Sequence, residues 1–181
     1  MAKKFDLRAF QTRLSQQMRA AASLDTSGSR LGFRVGDANW LVSLTDTEEV
    51  IAVPPIVKVP GARRWFRGLA NIRGNLYAVS DFADFMGEGV TGEHTDCRLL
   101  IPHRDFGAHA ALLIRGTLGL RNLSHFRAGE ASSRFPWIAQ QYDDESGACW
   151  RDLDFGRLLG APGFLRVESQ PGGETLPAAA Q

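Results

Sequence analysis

Residues 58–81 read KVPGARRWFRGLANIRGNLYAVSD, and the interpretation of the whole chain starts from this stretch. The sequence contains no Asp or Glu between Val50 and Ser80. Five bases stand there instead: Lys58, Arg63, Arg64, Arg67 and Arg73. Because protein surfaces usually mix charges of both signs, a one-signed segment beside Trp65 and Phe66 predicts a contact surface. The alternative is that the bases are solvated loop residues and the two aromatic residues belong to the core.

Length and composition indicate one globular domain, or two small lobes that share a core. The chain has 181 residues, of which 44% are hydrophobic and 23% charged, and a formal net charge of +1. This charge argues against general polyanion binding, so any affinity for nucleic acid would come from the basic segment. No apolar run approaches the roughly 20 residues that span a bilayer, and residues 1–8 lack the apolar core of a signal peptide. We therefore expect a cytoplasmic protein without direct membrane insertion.

The two ends of the chain differ from its middle. Residues 1–28 are predicted to form an amphipathic helix over 3–24 and a linker, because apolar residues recur there at steps of three and four. The apolar stripe is expected to pack on the domain or on a partner rather than on a membrane. Residues 168–181 are rich in Pro, Gly and Ala, and we expect them to be disordered.

The middle, residues 29–167, contains short strand patterns separated by glycine and proline turns. Apolar residues alternate over 31–35, and a turn at 37–39 leads to a second strand over 40–44, which predicts a hairpin. Further strands are predicted at 47–53, 76–82, 99–101, 110–114, 118–123 and 148–150. This succession predicts an all-β barrel architecture with helices at its two ends.

Other segments give local predictions. Residues 63–69 are expected to hold a helical turn, and the strand over 76–82 is expected to be buried on both faces because both carry apolar residues. Residues 124–147 mix polar and aromatic groups and are assigned no strand, with Trp137 and Pro136 among the expected anchors.

The C-terminal part is predicted to end in a short helix. Asp152 or Asp154 would cap this helix, and Gly160 would end it. Residues 163–167 are expected to form a small tail strand or a docking segment.

The templates of known enzyme sites fail on this sequence. It has no Gly-x-Ser-x-Gly elbow, no Walker loop and no Gly-x-Gly-x-x-Gly after a strand. His103 and His109 could face each other across a turn, but no third metal ligand lies at a convincing spacing. Cys97 lies three residues after His94 in a polar loop, which is weak evidence for a nucleophile. We therefore predict no catalysis, no cofactor and no metal site.

Asp81 and Asp84 are the only pair of carboxylates close in sequence to the basic segment. We expect them to pair with nearby arginines or to cap the turn after the strand, rather than to act in acid–base chemistry.

Two kinds of binding remain open. Aromatic residues and arginines on a small barrel could stack on and steer single-stranded nucleic acid, although the rest of the chain is not basic. A protein partner is favoured, because arginine and aromatic residues dominate interface hot spots. Arg73, between Ile72 and Gly74, would project a guanidinium fork that binds carboxylates bidentately.

A longer motif begins at Val59, where the chain has a proline-containing turn, then Gly68-Leu-x-Asn-Ile-Arg-Gly, and a strand that ends in Asp81-Phe. This motif resembles the signature of CheW-like domains. The hairpin around Gly36 resembles the opening strands of the family, and residues 112–121 resemble its second-half segment. The resemblance covers about residues 30–167. Within the family, the N-terminal helix, the Arg-Asn pair at 121–122 and the Gly-Phe-Leu ending at 163–165 resemble type IV pilus (twitching-motility) adaptors.

The resemblance implies two intertwined, five-stranded SH3-like barrels around a shared hydrophobic core, with an N-terminal helix and a short C-terminal helix. It implies a non-enzymatic adaptor that couples the cytoplasmic tip of a methyl-accepting chemoreceptor to a CheA-type histidine kinase, in control of twitching motility. Receptor arrays would then recruit it to the inner membrane. A flagellar chemotaxis coupling protein and a small β-barrel nucleic-acid-binding module remain as alternatives.

The resemblance also implies a partner interface. Arg73 would face the receptor or the kinase, Glu49 would belong to a partner surface after the third strand, and Asn71 would fix the loop by hydrogen bonds. The predicted interface residues are Glu49, Arg63, Arg64, Arg67, Gly68, Asn71, Arg73 and Gly74. The chain departs from the family at Arg115, where the second half normally has Asp, and in the acidic loop 86–96, which has no clear family counterpart.

Overall fold

The computed structural model describes residues 28–92, 94–130 and 135–168. In chain order, the strands of these ranges are β1 (Ser29–Val35), β2 (Ala38–Ser43), β3 (Thr47–Ala52), β4 (Ile56–Val57), β5 (Phe66–Ile72), β6 (Asn75–Asp81), β7 (Arg98–Pro102), β8 (Ala110–Ile114), β9 (Gly116–Asn122), β10 (Phe126–Ala128), β11 (Ile138–Asp144) and β12 (Cys149–Leu153). The helices are α1 (Phe82–Phe85), α2 (Phe155–Leu159) and α3 (Pro162–Leu165). The predicted all-β class is confirmed.

The predicted N-terminal helix over 3–24 lies outside the described residues, as does the predicted disordered tail from residue 169 onward. The domain boundaries at 28 and 168 therefore stay predictions. None of the helices in the described ranges has the length and apolar character needed to cross a membrane.

The strands form two six-stranded sheets that repeat one topology. Sheet A has the order β10-β11-β12-β2-β1-β9, and sheet B has the order β4-β5-β6-β8-β7-β3. Each sheet contains one parallel pair, β12 with β2 and β6 with β8, while its other pairs are antiparallel. Five strands were expected in each barrel. The additional strand of sheet B is β4, with two residues, and that of sheet A is β10, with three.

Sheet B is one continuous segment inserted between the strands of sheet A. It runs from β3 to β8, whereas sheet A combines the opening hairpin β1–β2 with the later strands β9 to β12. The predicted opening hairpin is confirmed, with Phe33 opposite Trp40. Because sheet A cannot be completed without the second half of the chain, the two lobes are intertwined.

The repeat extends to the helix that follows the parallel strand of each sheet. The Asp81 carboxylate caps α1 by accepting from the Asp84 N–H, and the Asp154 carboxylate caps α2 by accepting from the Arg157 N–H. Asp154 is thus the predicted cap. Asp152 lies on β12 and pairs with Arg30 at 3.1 Å, and burial raises the pKa of its carboxyl group.

A shared hydrophobic core lies between the lobes. Sheet A, sheet B and the short helices all contribute to it, through residues that include Phe33, Trp40, Phe82, Leu100, Leu112, Ile114, Phe155 and Leu158. A smaller core belongs to sheet B and includes Val79, Leu99, Ile101 and Leu113. The shared core fixes the relative positions of surface residues on the two lobes.

The basic segment and the C-terminal segment meet at an aromatic junction. The Trp65 ring is stacked on Phe164 of α3 at a centroid distance of 5.8 Å and lies edge-on to Phe85 at 5.1 Å. Trp65 is 7% exposed, so it belongs to the core. The Val167 carbonyl accepts from the Arg63 N–H, and Ala62 forms a β-bridge with Glu168. Residues 163–167 are therefore a docking segment, with α3 in place of a tail strand.

Two local predictions are wrong, and a third holds only for part of its strand. Residues 63–69 do not form a helical turn, because from Phe66 onward the backbone pairs with β6 in the β5–β6 hairpin. Residues 124–147 contain β10 and β11, and Pro136 is exposed rather than an anchor, although Trp137 is buried. The strand over 76–82 is not buried on both faces throughout, since Leu76 is exposed near its start.

Candidate protein-partner interface

The turn between β5 and β6 presents Arg73 at the surface. Arg73 and Gly74, its two central residues, have φ angles of 52° and 88°. Positive φ at both central positions is the hairpin geometry that matches the twist of the flanking strands. The Asn71 Oδ1 atom accepts from the Gly74 N–H at 2.9 Å, which is the predicted hydrogen bond. The local sequence therefore builds a rigid turn with one guanidinium at its tip.

Arg73 is paired with Glu49, another predicted interface residue. The Arg73 Nη2 atom lies 2.6 Å from the Glu49 Oε2 atom, and the two side chains are 77% and 21% exposed. Glu49 lies within β3, not after it. An exposed ion pair contributes at most about 1 kcal/mol to stability. The pair therefore orients the guanidinium more than it stabilises the fold.

A cleft of about 320 Å³ opens beside this pair, and we call it the polar cleft. Its walls include Glu48 and Arg104 as well as Glu49 and Arg73. The Arg104 guanidinium hydrogen-bonds to the Glu48 carboxylate, which lowers the pKa of Glu48 from 4.5 to about 2. In this cleft each arginine is matched by a glutamate. Arg73 donates to Glu49 through Nη2, so its Nε and Nη1 atoms can still donate to a partner carboxylate.

Two rings form another wall of the polar cleft. Tyr77 of β6 and His109, just before β8, are stacked at a centroid distance of 5.2 Å. His103 lies 3.7 Å from Glu48 and 3.3 Å from Asp105, so it faces carboxylates rather than His109. Neither the Arg104–Glu48 pair nor the ring pair was among the predicted interface residues. Arg104 and His109 belong to the connection between β7 and β8, far along the chain from Arg73, whereas Glu48 lies on β3 and Tyr77 on β6.

The other predicted arginines lie elsewhere and contact the chain itself. Arg64 donates to the Asp84 carboxylate at 2.5–3.1 Å, and Arg67 lies 3.5 Å from Asp81. The Nε atom of Arg63 donates to the Glu168 carbonyl. The basic segment is therefore not one patch. The structure brings together Glu49, Asn71, Arg73 and Gly74, and it separates Arg63, Arg64 and Arg67 from them.

Asp81 and Asp84 do what the sequence predicted of them. Asp84 pairs with Arg64, and Asp81 both caps α1 and lies near Arg67. Asp81 also accepts from the N–H and the hydroxyl of Thr91, at 2.9 and 2.7 Å, which ties down the loop after α1.

Gly68, a predicted interface residue, is needed for packing inside the chain rather than for contact with a partner. Its φ is 128°, and a Cβ atom built there would lie 2.0 Å from the Val57 carbonyl oxygen. The β5–β6 register shifts between Phe66 and Gly68, which marks a bulge. Gly68 is buried and lets β4 approach β5 closely.

The CheW-like domain family model matches residues 30–162 of this chain. The chain belongs to the CheW-like domain family. Protein PilI of Pseudomonas aeruginosa is 28% identical over 125 residues, which cover 68% of this chain and 67% of PilI. The crystal structure of scaffolding protein TtCheW from Thermoanaerobacter tengcongensis superposes with a TM-score of 0.64 and 17% identity, over 75% of this chain and 90% of TtCheW. The predicted family, its double-barrel fold and the resemblance to PilI are confirmed.

A second cleft of this CheW-like domain, about 630 Å³ in volume, lies beside the connection between β3 and β4. Apolar side chains from that connection and from β8 line it together with bases, and we call it the basic–apolar cleft. Lys58 and Arg67 are the two residues of the opening stretch that reach it. The sequence did not reveal the cleft, because its other bases, His94 and Arg98, come from the loop before β7 and from β7 itself.

The side chains that could bind a metal ion or act as nucleophiles are the remaining candidates for chemistry. Within residues 28–92, 94–130 and 135–168, no group of three or more His, Cys, Asp or Glu is placed to hold a metal ion. The buried Cys97 thiol donates to the Gly92 carbonyl at 3.3 Å, while Cys149 is exposed.

Proposed function

We propose that this CheW-like domain is a non-enzymatic signalling adaptor that couples a methyl-accepting chemoreceptor to a CheA-type histidine kinase. The family match over residues 30–162 carries this proposal. The similarity to PilI supports a role in type IV pilus twitching motility rather than in flagellar chemotaxis. The adaptor works in the cytoplasm and is recruited to the inner membrane through receptor arrays.

The two lobes suit such a role physically. Coupling requires that receptor and kinase occupy different surfaces of one body, so that each partner changes the affinity or activity of the other. The core that joins the two sheets holds surfaces on both lobes at fixed separation. A rigid scaffold of this kind would couple its two partners by holding them in fixed relative positions, without catalysing a reaction.

The polar cleft and the adjoining turn form the proposed contact surface for one partner. Arg73 at the turn tip and Arg104 across the cleft offer two guanidinium forks, which Glu49 and Glu48 hold in place. Glu49, Asn71, Arg73 and Gly74 thus act together. Arg63, Arg64 and Arg67 lie outside this contact surface.

Reconstitution tests the proposal directly. The protein is mixed with a soluble receptor signalling-tip fragment and a CheA-type kinase from the same genome, and kinase autophosphorylation is followed. We expect the receptor fragment to change kinase activity only when the adaptor is present, and Arg73→Glu to abolish the effect. Arg127→Glu, an exposed charge reversal on β10, serves as the matched control. Failure of the wild-type protein to bind either partner would contradict the proposal.

Motility separates the pilus role from the flagellar one. Deletion of the gene should abolish twitching and leave swimming unchanged, and a fluorescent fusion should gather with the receptors at the membrane. Loss of swimming alone would assign the adaptor to flagellar chemotaxis. Tight, steeply salt-dependent binding of single-stranded oligonucleotides would instead favour a nucleic-acid-binding module.

A further inference from the structure

We propose that the basic–apolar cleft docks an acidic segment of a partner protein, which inserts an apolar side chain between the bases of the cleft. The inference rests on the proposed adaptor function and assigns a chemical class of partner to a second surface, separate from the polar cleft. It depends on the charges of the cleft, its apolar walls and the free edge of β4.

The charged side chains among the described residues that line the cleft have one sign. They are Lys58, Arg67 and Arg98, the His94 ring lies beside them, and no acidic residue is among these described residues. The polar cleft has the opposite character, since each of its arginines faces a glutamate. In the basic–apolar cleft, Lys58 and Arg67 of the opening stretch face a cavity whose described walls carry no carboxylate of the chain.

The bases of the cleft retain charge for a partner. Lys58 is exposed and forms no ion pair with any residue in the described ranges. Arg98 donates to the carbonyl oxygens of Thr95 and Cys97, both at 2.8 Å, so its side chain is fixed while its hydrogen-bond partners there are neutral. The Arg67–Asp81 contact is long, at 3.5 Å. Carboxylates are the groups that such a site attracts.

The walls of the cleft supply an apolar contact surface. Val53 and Ile56 come from the β3–β4 connection and β4, and Leu113 comes from β8. Val53 is 37% exposed and Ile56 is half-buried, so both are accessible from the cleft. Apolar side chains that remain accessible in a cleft mark interaction sites. A volume of about 630 Å³ accommodates a partner side chain.

The edge of sheet B supplies a third feature. β4 ends the sheet and pairs on one side only, with β5. An unpaired edge beside a groove accepts an extended segment, whose alternate side chains then enter the groove or face solvent. Charge, apolar walls and the edge together favour an extended acidic segment with interspersed apolar residues.

Peptide probes test the inference on the full chain. The first probe is a short, fluorescein-labelled peptide of alternating glutamate and valine. One control peptide has lysine in place of glutamate, and another has serine in place of valine. We expect fluorescence anisotropy to show binding of the first peptide alone. Equal binding of the lysine peptide or of the serine peptide would overturn the inference, because charge or apolar contact would then be dispensable.

Matched variants locate the binding. Val53→Asp and Lys58→Glu should each weaken binding of the acidic peptide by about tenfold or more, the loss typical of a hot spot. Leu120→Asp, at an exposed apolar residue on β9, and Arg127→Glu on β10 should leave it unchanged. Circular dichroism checks that all four variants are folded. Equal losses in the control variants would overturn the assignment to this cleft.

Other occupants give different results. Binding of a single-stranded oligonucleotide that Lys58→Glu weakens and Val53→Asp does not would assign the cleft to nucleic acid. Concentration-dependent self-association in analytical ultracentrifugation that Val53→Asp abolishes would assign it to a second copy of the chain. Either result overturns the inference.

The native partners separate this inference from the proposed function. If Val53→Asp and Lys58→Glu weaken binding of the receptor fragment or of the kinase, the inference is supported. If both variants retain full binding and coupling, the inference fails while the adaptor function stands. If the wild-type protein binds neither partner, the adaptor function fails, and the peptide result shows whether the cleft still selects acidic apolar segments.

Discussion

At the scale of single residues, Arg73 combines a functional side chain with an unfavourable backbone conformation. Its φ of 52° costs a non-glycine residue about 1–2 kcal/mol relative to the right-handed region. Asn71 and Gly74 nevertheless hold the turn in place. An arginine in a backbone conformation that glycine would adopt without this cost fits the proposed role of the guanidinium in partner binding.

Arg73→Gly and Arg73→Ala both remove the guanidinium but differ in the backbone. Arg73→Gly should be as stable as the wild type or more stable by up to about 1 kcal/mol, because glycine adopts positive φ freely. Arg73→Ala should lie within about 1 kcal/mol of the wild type, since the lost ion pair is exposed. Both should bind the partner weakly. Urea denaturation and a pull-down measure the two effects, and an unfolded Arg73→Ala would show that Arg73 is structural.

Two glycines of the predicted interface differ in the space around them. Gly68→Ala should lose about 3 kcal/mol or more of unfolding free energy, because the new Cβ would collide with the Val57 carbonyl at a φ of 128°. Gly74→Ala is the control. Its positive φ costs about 1 kcal/mol, and a Cβ there meets nothing within 4 Å. Similar losses for both variants would contradict the close β4–β5 approach.

Glu48 should titrate far below an ordinary glutamate. Its folded pKa is lowered from 4.5 to about 2, chiefly because Arg104 donates hydrogen bonds to it. The pair's contribution to stability is therefore present above pH 4.5 and is lost as the pH falls towards 2. Nuclear magnetic resonance should follow this titration, and Arg104→Ala should return the pKa to near 4.5. Arg73→Ala, the control, should leave the pKa of Glu48 low. A pKa of Glu48 that does not change in Arg104→Ala would contradict the Glu48–Arg104 pairing.

At the scale of elements, strands with a clear apolar pattern could be predicted, whereas the polar strand β11 could not. β1 shows the apolar period of two, β2 carries a short apolar run, and the two form the expected hairpin. β11 carries Gln140, Gln141 and Asp143, so its hydrophobic signal is weak, and its pairing with β12 decides its structure. Near Trp65 the pattern of apolar residues suggested a helical turn, but the β5–β6 ladder decides the backbone from Phe66 onward.

The two capping aspartates should differ in importance although they occupy equivalent places. Asp81→Ala should lose about 3 kcal/mol, because the fully buried carboxylate accepts from Asp84 and from Thr91 twice. Asp154→Ala should lose about 1 kcal/mol, as for an ordinary helix cap. Guanidinium denaturation measures both. Faster amide exchange at Thr91 in Asp81→Ala would show that the loop after α1 is released, and equal losses would show that Asp81 is only a cap.

At the scale of the whole molecule, the double barrel came from the resemblance and not from periodicity. Local patterns predict strands, but they do not reveal that β12 pairs in parallel with β2 across the inserted sheet. The interface prediction likewise placed the arginines together because they are close in sequence. The bends at Gly68 and at the Arg73 turn distribute them over three places in the structure.

Trp65 tests the junction between the segments that the fold brings together. Trp65→Ala should lose about 3–5 kcal/mol, because the indole fills the space between Phe85 and Phe164. The segment 162–168 should then become sensitive to limited proteolysis, since its packing partner is gone. Trp65→Phe, which keeps an aromatic ring, should lose less. Unchanged stability with lost partner binding would mean that Trp65 is an interface hot spot instead.

The insertion of sheet B also has a consequence for synthesis on the ribosome. β1 and β2 leave the exit tunnel first, yet β2 finds its neighbour β12 only after most of the chain has been translated. Contacts this far apart in sequence form slowly. Until then the edge of β2 stays unpaired and is exposed to aggregation or chaperone capture. Sheet B, whose strands are contiguous in the chain, can form while the ribosome is still adding the last strands of its neighbour.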